Sequence, residues 1–156
     1  MIKISVDDND WNKYINQIET DLKNIPLMIG NEIVKYSKES FRRKSYNNVP
    51  WIPSKLNTNT LIDTGKLRNS IVIKGATTDR VEIISDTPYS QAMNEGAKIR
   101  ITEKQRMFLG LQKGMWLKKD SILTIPPRQF LPYDSDTEFP TELDNNIGKI
   151  IVQHIK

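Results

Sequence analysis

Apolar residues recur at helical spacing through the first third of the chain and predict two helices there. Asp8 or Asp10 caps the first helix. The residues that follow place one apolar stripe along one face, at Trp11, Tyr14, Ile15, Ile18, Leu22 and Ile25. Pro26 interrupts this pattern and predicts the first turn of a second helix, where its missing N–H costs nothing. The second helix is expected to run to about Tyr46 and to turn these positions inward: Ile29, Ile33, Tyr36 or Ser37, and Phe41.

Short alternating segments later in the chain predict a small antiparallel sheet of about four strands. Ile71 and Ile73 share one face of a strand near 70–76, and Val81 and Ile83 belong to its hairpin partner near 80–85. A third strand is expected near 121–126, and a fourth near 98–101 or 1–6. A last helix follows, with apolar residues on one face at Leu143, Ile147, Ile150, Ile151 and Ile155. The pattern predicts one α+β domain over residues 1–156, with its helices on one face of the sheet.

Between these elements lie two short turns and a polar loop. Thr64 is predicted to cap a short helix that includes Leu67 and ends near Ser70, while Gly65 lets another backbone approach closely. Tyr89 to Asn94 fits a second short helix, which Gly96 ends. Residues 47–60 are expected to form a loop, in which Trp51 either folds back over the core or contacts a partner.

Residues 98–121 form an arm that is long for a connection between two strands. Thr102 and Gln105 have the spacing of a capping box, and apolar residues follow at helical spacing. Two interpretations stay open for Met107, Phe108, Leu111, Met115 and Trp116. They form a small cluster packed under the connection, or they form an apolar arm that docks on a neighbouring subunit.

Composition limits the class of protein without naming one. The chain has 156 residues, which fits one domain, and its mean hydropathy of -0.53 is that of a polar protein. A net charge of +4 permits contact with DNA or an acidic partner. No apolar run approaches the roughly 20 residues of a membrane span, so no membrane partner is expected.

The chain offers few residues for catalysis or metal binding. It has no cysteine, and its one histidine, His154, lies next to the C-terminus and is expected at a helix edge. No set of ligands or catalytic groups is recognisable around it, so we expect no metal, no cofactor and no enzymatic activity. Basic residues cluster at 42–44 and at Lys113, Lys118 and Lys119. These clusters are either solvated surfaces or contacts to DNA or an acidic neighbour.

Five motifs in a fixed order give the chain a resemblance to a known family. They are Phe41-Arg42-Arg43, Pro50-Trp51-Ile52-Pro53, Thr64-Gly65-Lys66-Leu67-Arg68-Asn69-Ser70-Ile71, Tyr89-Ser90 through Gly96, and Pro126-Pro127-Arg128-Gln129-Phe130-Leu131. In this order they resemble the phage virion morphogenesis family, which includes tail-completion and head–tail joining proteins. The residues that carry the resemblance are Trp51, Thr64, Gly65, Leu67, Ser70, Tyr89, Gly96, Arg128 and Phe130.

The resemblance implies a structural virion protein that is assembled in the host cytoplasm. Such a subunit forms a ring with copies of itself, commonly a hexamer, and contacts tail-tube and neck or connector proteins. DNA passing through the ring lumen is a further non-specific contact. A small basic nucleic-acid-binding domain is the alternative function, and it predicts salt-dependent affinity for free DNA.

Arg128 is the charged residue of the last motif, and its neighbours suggest two roles. The preceding prolines extend the backbone, so Arg128 shares a face with Phe130. Its guanidinium either pairs at a subunit border or forms a salt bridge inside one subunit. Candidate interface residues are therefore Phe108, Leu111, Met115, Trp116 and Arg128.

We predict that the arm is more mobile in the isolated subunit than the rest of the chain. Its length, its glycines Gly110 and Gly114 and its scattered lysines are untypical of a rigid element. Hydrogen exchange should be fast in residues 98–121 of the monomer and should slow on assembly. Strong protection in a proven monomer would contradict this prediction.

Overall fold

One long helix begins the described part of the chain. The computed structural model describes residues 8–53, 61–62, 64–133 and 138–154. Helix α1 (Asp8–Arg43) contains Pro26, so the prediction of two N-terminal helices is wrong. The apolar spacing explains why, since Leu22, Ile25 and Ile29 stay on one stripe across the proline. Pro26 has no N–H to donate to the carbonyl of Leu22, so α1 lacks one helical hydrogen bond in a turn where Leu22 is exposed.

The strands of the described residues form three separate antiparallel pairs. These are β1 (Ser45–Tyr46) with β2 (Val49–Pro50), β3 (Ile71–Ala76) with β4 (Val81–Ser85), and β5 (Ala97–Arg100) with β6 (Ile122–Ile125). The predicted strands near 70–76, 80–85, 98–101 and 121–126 are therefore present. A single four-stranded sheet is wrong, because β3–β4 and β5–β6 do not hydrogen-bond to each other. The alternative strand at 1–6 lies outside the described residues.

The β1–β2 pair occupies part of the segment that was expected to be a loop. Asn47 and Asn48 connect the two strands with φ angles of 47° and 61°. Two consecutive left-handed residues are typical of the tight hairpin turn that asparagine favours. The Asn-Asn pair was thus a hairpin signature in the sequence that the strand pattern, only two residues on each side, did not reveal.

Helix α1 packs its C-terminal half against the rest of the domain. Its buried residues Ile33 and Tyr36 meet Leu143 and Ile147 of α5 (Thr141–His154). Gly30 faces β4, where an added Cβ would lie 2.6 Å from Cγ2 of Val81. A side chain at position 30 would therefore push the β3–β4 hairpin away from the helix.

The motif around Gly65 begins a short helix, α2 (Lys66–Asn69). The sequence predicted Thr64 as the cap of this helix, and that prediction is wrong. The cap residue is Gly65. Thr64 takes a smaller part, since its Oγ1 accepts a long bond from the Lys66 N–H at 3.4 Å. Gly65 has φ 75°, and an added Cβ would make only ordinary contacts, at 3.8 Å from Nδ2 of Asn69 and 3.9 Å from Nη2 of Arg68. Its role is therefore conformational, because only glycine adopts this φ without strain, and close approach of another backbone is not the reason.

The end of α2 joins the hairpin through Ser70. Its Oγ donates to the Leu67 carbonyl at 2.8 Å and lies 2.7 Å from Oγ of Ser85, which ends β4. Leu67, before Ser70, and Ile71, after it, are both buried in the same apolar cluster. These contacts fix where β3 starts.

Replacing Gly65 with valine should lower the free energy of unfolding by about 2 kcal/mol, because a β-branched residue is strained at positive φ. Gly75→Val is the matched control, since Gly75 is exposed in β3 and an added Cβ there meets nothing within 4 Å. Urea unfolding of both variants makes the comparison. Equal stabilities would show that position 65 places no conformational demand on its residue.

Candidate functional site

The family motifs, far apart in sequence, meet in one apolar cluster. We call it the motif core, and its buried members are Phe41, Trp51, Leu67, Ile71 and Phe130. The ring of Phe41 contacts Trp51 edge-to-face at 5.3 Å between centroids and Phe130 at 5.1 Å. Phe41, Ile71 and Phe130 are fully buried. Trp51, Leu67 and Phe130, three of the residues that carry the resemblance, thus have a structural role in this core.

Trp51 closes the motif core from the loop side. Its Nε1 donates to the carbonyl of Gln129 at 2.8 Å, and its side chain is buried. A buried indole needs such an acceptor, since its N–H would otherwise lose its bond to water. The interpretation of Trp51 as a residue folded over the core is therefore confirmed.

Arg128 ties the same two segments together from the extended segment after β6. Its Nε donates to the carbonyl of Ile52 at 2.8 Å, and the residue is 7% exposed, on the buried side with Phe130. Burial lowers the pKa of Arg128, although an arginine remains a cation at neutral pH. Among the ion pairs of the described residues none involves Arg128, so the salt bridge inside one subunit is not formed there. Pairing at a subunit border stays a prediction.

Asn94 is the residue of this region that the sequence analysis missed. It lies in α3 (Ser90–Glu95), and its Oδ1 accepts from the N–H groups of Phe130 and Leu131 at 2.8 and 3.0 Å. Its Nδ2 donates to the Leu131 carbonyl at 3.3 Å. One side chain therefore replaces a neighbouring strand for this extended segment. The only sequence sign was an asparagine on the buried side of a short helix.

The two other motif residues, Tyr89 and Gly96, bracket α3. Tyr89 precedes the helix and is 38% exposed, and Gly96 ends it with φ 80°. An added Cβ at Gly96 would lie 2.9 Å from the Ile125 carbonyl oxygen and from the Pro127 nitrogen. The prediction that Gly96 ends the helix is confirmed, and the glycine also lets the chain pass close to the end of β6.

The arm contains a helix, α4 (Glu103–Lys113), that begins at the predicted capping box. The Thr102 side chain accepts from the Gln105 N–H, and the Gln105 side chain accepts from the Thr102 N–H. Trp116 folds back over α4, where an added Cβ at Gly110 would lie 2.7 Å from its ring. The absence of a side chain at Gly110 thus lets the indole ring pack directly against the helix backbone.

The apolar residues of the arm face solvent in the subunit. Phe108 is 58% exposed and Trp116 72%, while Met107 and Leu111 are exposed as well and Met115 is half-buried. The interpretation as a packed cluster under the connection is therefore wrong for the isolated subunit. Helix α4 turns Lys104, Met107, Phe108 and Leu111 to one side, since they follow at intervals of three and four.

A second apolar surface lies on the N-terminal half of α1. We call residues 8–27 the rod. Its stripe was predicted from the sequence, yet Trp11, Tyr14, Ile15, Ile18 and Leu22 are all exposed. Burial in α1 begins only at Gly30 and Ile33. Two large apolar surfaces, on rod and arm, are thus left uncovered by the subunit, and monomers rarely expose such surfaces without a binding role.

The basic residues at the end of α1 are partly neutralised within the subunit. Arg42 pairs with Glu39, and Arg43 pairs with Glu142 of α5 and lies over the Tyr36 ring. The hydrogen bond that Arg43 donates to the Glu142 carboxylate raises the pKa of Arg43. The arm is different, because Lys98, Arg100, Lys104, Lys118 and Lys119 are exposed and none forms an ion pair among the described residues.

The grooves of the described residues present little convergent chemistry. The groove beside Trp51 has a volume of about 450 Å³ and brings Tyr46, Tyr133 and Glu138 together. His154 is half-buried at the end of α5, with Nδ1 2.9 Å from the Ile150 carbonyl oxygen, in keeping with a helix-edge position. Within the described ranges no group of three acidic, histidine or cysteine residues is arranged to hold a metal ion.

Comparisons with protein-family models, curated proteins and solved structures find no match for this chain. The family resemblance therefore depends on the five ordered motifs themselves. None of the described helices has the length and apolar character needed to cross a membrane.

Replacing Asn94 with leucine should lower the free energy of unfolding by about 3 kcal/mol or more. The change leaves two N–H groups and one carbonyl of the buried segment without their partner, each at a cost of about 1–3 kcal/mol. Gln91→Leu in the same helix is the control, because Gln91 is exposed and pairs only with Glu95. Chemical denaturation compares them, and equal losses would show that the Asn94 bonds add nothing.

Proposed function

We propose that this protein is a structural subunit of a tailed-phage or prophage particle, of the phage virion morphogenesis family. It acts at the head–tail junction or at the tail end, as one subunit of a ring, and has no catalytic role. The observation that carries the proposal is the pair of exposed apolar surfaces, one on the rod and one on the arm. A ring subunit needs two different contact surfaces, since each copy must meet a neighbour on either side.

The motif core supports the family assignment. Motif residues Phe41, Trp51 and Phe130 come from separate parts of the chain and contact one another directly. In this chain the residues of these motifs therefore build one structural unit. The proposed partners are further copies of this chain, in a hexamer by family analogy, together with tail-tube and neck or connector proteins. The proposed location is the virion, after assembly in the host cytoplasm.

A basic nucleic-acid-binding domain is the second candidate. The exposed basic residues of the arm favour it, and they would contact phosphates without reading sequence. Such a contact also fits a ring through which DNA passes, so DNA affinity alone does not separate the two functions. Ring assembly in the absence of DNA separates them, because the virion function requires it and the nucleic-acid function does not.

Mass spectrometry of purified particles from the phage or induced prophage that carries the gene tests the proposal. The protein should be present in stoichiometric amounts per particle, and deletion of its gene should leave heads and tails unjoined or tails unfinished in electron micrographs. Intact, infectious particles without the protein would exclude the proposed function.

The double variant Phe108→Ser, Trp116→Ser should remain folded and fail to complement the deletion. Both residues are mainly solvent-exposed in the subunit, although the Trp116 ring also packs on Gly110, so their loss should lower the free energy of unfolding by no more than about 2 kcal/mol. Val49→Ser with Val152→Ser is the control, because these residues are also exposed but lie outside rod and arm. Circular dichroism checks folding, and a titre of infectious particles measures function. Full complementation by the arm variant would place the interface elsewhere.

A further inference from the structure

The rod and the arm differ in charge as well as in position. The arm, residues 98–121, has seven basic and two acidic residues, an excess of five positive charges. The rod, residues 8–27, has four acidic and two basic residues, an excess of two negative charges. Two exposed apolar surfaces of one subunit thus have opposite sign.

The charges of the rod are arranged around its apolar stripe. With 100° between successive helical residues, Asp10 and Asp21 lie about 80–100° to one side of the stripe and Glu19 about 80° to the other. Lys13 and Lys23 lie further round the helix. The rod therefore presents apolar residues with an acidic border to any surface that it contacts.

The arm presents the complementary arrangement. Lys104 lies one turn before Met107 and Phe108 on the exposed side of α4, and Lys118 and Lys119 follow the exposed Trp116. A hollow of about 300 Å³ at the base of α4 is lined by three basic residues, Arg100, Arg106 and Lys119, together with two acidic ones, Glu103 and Asp120. Apolar residues bordered by basic side chains are the surface that an acidic amphipathic helix fits.

From these observations we propose that the rod of one copy docks along the arm of the next. Trp11, Ile15, Ile18 and Leu22 would cover Met107, Phe108 and Leu111, while the acidic border of the rod meets the lysines of the arm. The occupant is another copy of this chain because both complementary surfaces belong to it and each subunit leaves both exposed. The contact joins different surfaces and so repeats from copy to copy.

The dimensions fit such a contact. The rod is about 30 Å long and α4 about 16 Å at 1.5 Å per residue, so the rod can span α4 and the adjoining end of the arm. Residues spaced by three and four on both helices pack ridge into groove. This inference deepens the proposed function, since it names the surfaces through which the ring would close.

The absence of cysteine from the chain gives a direct test by cross-linking. Ile18→Cys protein is mixed with Phe108→Cys protein and oxidised mildly, and the products are separated without reductant. A dimer that joins the two variants is expected in high yield. The control mixture is Asn16→Cys with Phe108→Cys, because Asn16 is exposed but lies on the side of the rod opposite Ile18. This mixture should give a yield at least roughly tenfold lower.

Charge reversal tests the electrostatic part of the contact. In the cysteine variants, reversing the rod (Asp10→Lys, Glu19→Lys, Asp21→Lys) or the arm (Lys104→Glu, Lys118→Glu, Lys119→Glu) should each lower the cross-link yield by roughly tenfold. Mixing the reversed rod with the reversed arm should restore it, because the charges are again opposite. Circular dichroism confirms that each variant is folded.

Three outcomes would overturn the inference: equal yields for test and control mixtures, a dominant Ile18→Cys homodimer in which rod pairs with rod, or failure of the two reversed variants to restore each other. The proposed function is judged separately, by the presence of the protein in particles. Incorporation into particles without the cross-link would reject this interface alone. If the cross-link forms in purified protein but the protein is absent from particles, the virion function alone is rejected.

Discussion

The burial of the Phe41 ring is the constraint on which the arrangement of this domain depends. Phe41 lies near the end of α1, and its ring is in contact with Trp51 from the following loop and Phe130 from near the C-terminal helix. Burying an aromatic side chain of this size contributes about 2–3 kcal/mol, and the two ring contacts add to it. Because the three rings come from segments up to 89 positions apart in the numbering, their contact decides how α1, the loop and the Pro126–Leu131 segment lie together.

Hydrogen bonds hold the backbone of the extended segment at 128–131 in place beside the apolar core. The extended segment at 128–131 has no strand beside it among the described residues, and its N–H and carbonyl groups are instead bonded to Asn94, Met93 and Trp51. Unpaired backbone groups in this position would cost more than the apolar contacts gain from close packing. The segment is consequently rigid without belonging to a sheet, and it separates the β3–β4 hairpin from the β5–β6 pair.

Two helices, α1 and α4, are only partly buried in this domain. Helix α1 is buried from Gly30 onward, where α5 and the hairpin cover it, and its first half has no such cover. Helix α4 is anchored by a capping box and by Trp116 on Gly110, and it keeps its apolar side outward. The described residues of this domain bury one globular core, and under the proposed assembly a neighbouring copy would cover these extensions. That is the physical reason for proposing assembly as the function.

Local pattern in the sequence was sufficient for much of this description. The helical stripe from Trp11 to Phe41, the hairpin at 71–85, the capping box at Thr102 and the helix after Leu143 depend on spacing and on neighbouring residues, and all of them are present. The five motifs likewise contain the residues of the motif core. What the sequence did not determine were properties that depend on residues distant in the chain. By the local rule Pro26 ends a helix, but the apolar stripe continues past it and α1 is unbroken from Asp8 to Arg43.

Only the tertiary structure decided which apolar stripes are covered, because periodicity is the same for a buried face and an exposed one. Trp11 and Ile33 belong to one stripe, yet the first is 56% exposed and the second 6%. Strand partners were also decided there, since alternation cannot say which strands pair. So was the role of Asn94, whose importance comes from the backbone of Phe130 and Leu131 that the fold places against it.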